Sequence, residues 1–80
     1  MQRLYFHLHE CGEAIIDEEG AEVQSLSEAR LRAIREARSI MSNEVAAGKL
    51  CLSCHIVVED AQGTILLTVP FREALHISGL

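Results

Sequence analysis

Between Ser25 and Gly48 the chain carries one amphipathic helix whose inner stripe is largely alanine, and that stripe constrains everything around it. Ser25 and Glu28 form an S-x-x-E capping box, in which the Ser side chain and the Glu carboxylate each satisfy a backbone N–H at the helix start. The helix is therefore predicted to begin at Leu26. Leu26, Ala29, Ala33, Ala37, Ile40 and Met41, flanked by Ile34 and Val45, recur at helical spacing on one side. Gly48, followed by Lys49, is the natural stop. Ala29, Ala33 and Ala37 stand at i, i+4 and i+8, a ridge low enough for the helix axis to lie close against a sheet.

The segments on either side supply strands. Leu4, Phe6 and Leu8 alternate with Arg3, Tyr5, His7 and His9, the period-two pattern of a half-buried first strand. Glu10-Cys11-Gly12-Glu13 supplies a turn, and Ala14 to Asp17 a short second strand. Asp17-Glu18-Glu19-Gly20 then breaks the pattern before the helix. After the helix, Leu50, Leu52, Cys54, Ile56 and Val58 alternate with Cys51, Ser53, His55, Val57 and Glu59, which predicts a long third strand. Glu59 to Gly63 is a polar hairpin loop, and Thr64 to Val69 the fourth strand, with Ile65, Leu67 and Val69 on one face. Pro70 ends it and opens a short helical turn over Phe71 to Leu75. The expectation is an α+β domain: strand, strand, helix, strand, strand, with a four-stranded antiparallel sheet ordered 2-1-3-4 and the helix on one face.

Eighty residues make a single domain, 1–80, and so short a chain buries only about 60–65% of its unfolded surface. Association that covers more apolar surface is thus favoured. The net charge of −5 argues against nucleic-acid binding, which rests on phosphate neutralisation, and against docking on anionic membranes. The N-terminus lacks the apolar core of an export signal, no run approaches a bilayer-spanning length, and an odd count of three cysteines reads as thiols; the expected location is cytoplasmic.

Cys51-Leu52-Ser53-Cys54-His55 matches the C-x-x-C-H pattern of covalent haem attachment. In a strand, however, residues three apart point to opposite faces, so the two thiols diverge, and no haem or other cofactor is expected. The same alternation excludes a thioredoxin-like site, which needs a helix N-terminus beside the thiols. A metal site has better geometry. His7 and His9 lie at i and i+2 on the outer face of the first strand, and His55 on the outer face of the third. If those strands are neighbours, the three imidazoles are candidates to hold Zn²⁺ or Ni²⁺, with Cys51 or Cys11 as a fourth donor.

Arg32 and Arg35, with Ser39, Ser42 and Asn43, occupy the helix side opposite the apolar stripe and read as a solvated face with Glu28 and Glu36 at i, i+4 spacing. Asp17, Glu18 and Glu19 lack the alternating ligand spacing of a Ca²⁺ loop and read as a solvated turn. No nucleophile–base pair or Gly-rich phosphate loop stands out, so an enzyme is not expected.

Tyr5-Phe6, Asp17-Glu18-Glu19-Gly20, the Ala-rich helix, Ile56 to Asp60 with Gly63, and Thr68-Val69-Pro70-Phe71-Arg72-Glu73-Ala74-Leu75 together resemble a family of short bacterial domains of unknown function. The likeness spans nearly the whole chain. It implies an architecture and a cytoplasmic setting, and no catalytic residue; the C-x-x-C-H string is foreign to the pattern. The function expected from the sequence is a non-enzymatic interaction domain that self-associates, as a homo-oligomer, through its open sheet face or an edge strand. The alternative is a small metal- or ligand-binding module using His7, His9 and His55.

Overall fold

The computed structural model describes residues 1–10 and 12–79. Strands β1 (Gln2–Glu10), β2 (Glu13–Ile15) and β3 (Ala21–Val23) precede helix α1 (Leu26–Ala46); β4 (His55–Glu59), β5 (Ile65–Pro70) and a 3₁₀ turn (Phe71–Glu73) follow it. The sheet is antiparallel throughout, in the order β2-β1-β4-β5, which is the predicted order of the four predicted strands.

A fifth strand departs from the expectation. β3 pairs with the same edge of β1 as β2 does, Leu4 opposite Ala21 and Leu8 opposite Ile15. Five residues, 16–20, thus span what three residues span on β1. Asp17 makes this possible. Its carboxylate accepts the Phe6 backbone N–H at 3.1 Å, standing in for the carbonyl that the interrupted strand withholds, and also the N–H groups of Glu19 and Gly20. Gly20 closes the loop at φ 70, where an added Cβ would lie 2.9 Å from the Leu4 carbonyl oxygen and from the Tyr5 ring. Three residues are too few to show a period, so β3 had no alternation to announce it.

The helix begins as predicted: Ser25 Oγ accepts the Glu28 N–H at 3.1 Å. It ends at Ala46, and Gly48 takes the positive φ that a closing residue needs. Ala29, Ala33 and Ala37 are fully buried beneath it, against Leu4, Phe6, Ile56, Val58 and Val69. At its ends the stripe differs from the expectation. Leu26 and Val45 are exposed, whereas Glu44 is buried and accepts the Cys51 N–H.

That bond is part of the second correction. Cys51 to Cys54 do not belong to a strand; β4 starts at His55, opposite His9, and β1 ends one residue beyond that register at Glu10. With no partner strand to pair against, Cys51 turns its N–H to Glu44, and the Cys54 carbonyl accepts the Phe71 N–H. Cys54 is buried in the core, and Cys51 packs partly against the same core, so the two side chains are not divided between the faces as a strand would divide them.

A bulge makes the third. Val58 pairs with Leu67 but Glu59 with Ile65, so Leu66 is an extra residue in β5. The parity of the strand flips there. Leu66 joins Leu67 against the helix-side core, and Ile65, paired with Glu59, shares that residue's outer face and is 60% exposed.

Candidate functional site

α1 covers one face of the sheet; the other presents the odd-numbered side chains of β1 and their cross-strand partners. Arg3 pairs with Glu22 at 3.2 Å. Tyr5 and His7 stack with ring centroids 6.4 Å apart, and His9 and His55 stack at 4.9 Å with planes only 4° apart. Val57, between them on β4 opposite His7, is 6% exposed because the flanking side chains close over it.

The structure brings two of the three predicted histidines together. His9 and His55 are direct cross-strand neighbours. His7 is 9% exposed and engaged elsewhere: its Nδ1 accepts the Asp17 N–H at 3.0 Å, and its Nε2 faces Glu59 Oε1 at 3.6 Å. Among the described residues no three His, Cys, Asp or Glu side chains are grouped to hold a metal ion. Cys51 lies off this face, and Cys11 lies outside the described residues.

Two carboxylate groups at the margins of the sheet behave in opposite ways. Burial alone would raise the Asp17 pKa, but the N–H groups of Phe6, Gly20 and Glu19, aided by His7, hold it below its ordinary value. Glu10 moves the other way. Its hydrogen bond with Glu44, burial and the charges of Glu44 and Glu13 raise it, against the pull of Lys49. On the helix side, a cleft of about 420 Å³ lies between residues 16–21 and α1, bordered by Phe6, Asp17, Glu19, Arg32 and Glu36. Arg32 holds its guanidinium over the Phe6 ring, 5.6 Å from the centroid, and burial raises the Glu36 carboxyl despite that neighbouring charge.

Sequence reasoning missed the structural roles of Asp17 and Arg38. The Arg38 Nε donates to the Ala74 carbonyl at 2.7 Å, tying the helix to the 3₁₀ turn. Both bonds join segments far apart in the chain, where spacing carries no signal.

A family model described as a domain of unknown function, DUF6894, matches residues 3–72. The chain belongs to that family. Its match runs from β1 into the 3₁₀ turn, so the sheet, the helix and the histidine face all fall within the DUF6894 domain. No curated protein and no solved structure matches the chain. Among the described residues, no helix of this DUF6894 domain is long and apolar enough to cross a membrane.

Proposed function

We propose that this domain is a non-enzymatic interaction module that pairs with a second copy of itself through the open sheet face. The observation that carries the reading is the charge layout of that face. Glu59 sits at one end of β4; Arg72, just past β5, borders the cleft beside His55 and Thr68 at the other end. A two-fold axis between them sets Glu59 of each copy over Arg72 of the other, the self-complementarity an isologous interface requires. Exposed Ile65 and the Tyr5 ring supply apolar contact near the Glu59 end.

Two further features favour the face over the edges. β5 is interrupted by the Leu66 bulge and closed by Pro70, and the opposite edge is split by the acidic loop at 17–20; both are devices that discourage strand addition. The polar side chains of the face are also engaged, Arg3 with Glu22, and His7 with the Asp17 backbone N–H while it faces Glu59, which suits binding better than proton transfer.

Light scattering on the full chain at tens of micromolar is expected to give the mass of a dimer. Glu59→Arg and Arg72→Glu should each shift it towards monomer, and the double variant should restore the dimer. A wild type that stays monomeric overturns the proposal.

A further inference from the structure

His9 and His55 occupy opposite positions on β1 and β4, the central strand pair of the sheet. Directly opposed residues on antiparallel strands have Cβ atoms roughly 4.5–5.5 Å apart, a separation held by the backbone ladder and not by the side chains. Two imidazoles fixed this way can present one nitrogen each to a common point without any backbone movement. We propose that His9 and His55 form a two-imidazole clamp for a late divalent transition-metal ion, Ni²⁺, Cu²⁺ or Zn²⁺. Both imidazoles of the clamp come from one chain.

The stacked rings are the starting point and not the bound geometry. Their planes lie 4° from parallel, whereas an ion lies in the plane of each ring that ligates it, so each ring must turn about its Cβ–Cγ bond. Both residues are half-exposed, and the neighbours that flank them in the sheet, Ala14 beside His9 and Pro70 beside His55, are compact and uncharged. The rings therefore have room to turn. A cleft of about 240 Å³ opens over the pair, and Glu10, Glu13 and Ser53 also border it. No group of three His, Cys, Asp or Glu side chains that could hold a metal ion is found among the described residues, and Glu10 and Glu13 contribute negative charge from the border of the cleft. Arg72, which borders the cleft on the far side of His55, is the opposing charge.

The ligand type selects the ion. Neutral imidazole suits nickel, copper and zinc, and a site without a cage of oxygens does not suit calcium or magnesium. His7 is left out of the clamp because its Nδ1 accepts the Asp17 N–H and its side chain is buried. Binding requires both rings neutral, so protons compete with the metal ion for the clamp.

The test is titration of the full chain with NiCl₂ under a non-thiol reductant, followed by calorimetry and by the imidazole signals in proton NMR. Paramagnetic Ni²⁺ is expected to broaden the signals of His9 and His55 before those of His7 and His76, a readout that needs no variant. His9→Ala and His55→Ala should each weaken binding by at least about tenfold, whereas His76→Ala should leave it unchanged. Binding should weaken on acidification. Broadening centred on His76, affinity that survives both His9→Ala and His55→Ala, loss of binding in Cys51→Ser, or no heat at millimolar Ni²⁺ would each overturn the clamp.

Discussion

On the helix side of the sheet, Leu4, Phe6, Ile56, Val58 and Val69 are sealed beneath an alanine ridge that leaves no exposed surface at Ala29, Ala33 or Ala37. On the other side, Val57 reaches nearly the same burial with no helix over it, shielded by the histidines, Tyr5 and Glu59 around it. The first face is closed by volume, the second by polar side chains that hold one another. A face closed by volume resists change, because a lost or added methylene leaves a void or a clash. A face closed by paired rings and ions can exchange those pairings for contacts with something else. The division teaches where stability and recognition reside in so small a domain.

The contrast is broken most severely at Phe71, which is fully buried on the helix side. Phe71→Ala is expected to cost about 3–5 kcal/mol in urea unfolding, with no compensating gain in association. A smaller loss is expected at the seam between the faces. Asp17→Asn should cost about 1–3 kcal/mol at neutral pH by weakening its bonds to backbone N–H groups. Because the folded-state pKa of Asp17 lies below its ordinary value, the stability it supplies is present above that ordinary value and is lost as pH falls through the folded one. Urea midpoints of wild type and Asp17→Asn should therefore converge on acidification; a gap that stays constant down to pH 2 would assign the cost to packing. Least of all, Ile65→Ser on the open face should change stability by no more than about 0.5 kcal/mol, while reducing the dimer fraction in light scattering.

Much of this architecture was legible in the residues. The N-cap at Ser25, the alanine ridge, the alternation of β1 and the stop at Pro70 are local patterns, each imposed by chemistry within a few residues, and each is found where it was expected. The departures come from distant parts of the chain. Alternation over Leu50 to Cys54 is real, yet those residues have no strand to pair with, and Glu44, buried at the far end of the helix, captures the Cys51 N–H instead. β3 exists because Asp17 bridges to Phe6, eleven residues away. Of the histidines, their common face was legible and their pairing was not: His7 was diverted by the Asp17 backbone, a partner that no spacing within β1 announces.

The bond from Asp17 to Phe6 gives one peptide group of the central strand an unusual guardian. Elsewhere along β1 an amide hydrogen is released to solvent when neighbouring strands separate; at Phe6 it is released when a single carboxylate swings away or takes up a proton. Its hydrogen-exchange rate thus reads the state of the 17–20 loop and leaves the rest of the sheet out of the measurement. The position acts as a resident gauge of how often the edge of the molecule opens while its centre stays shut.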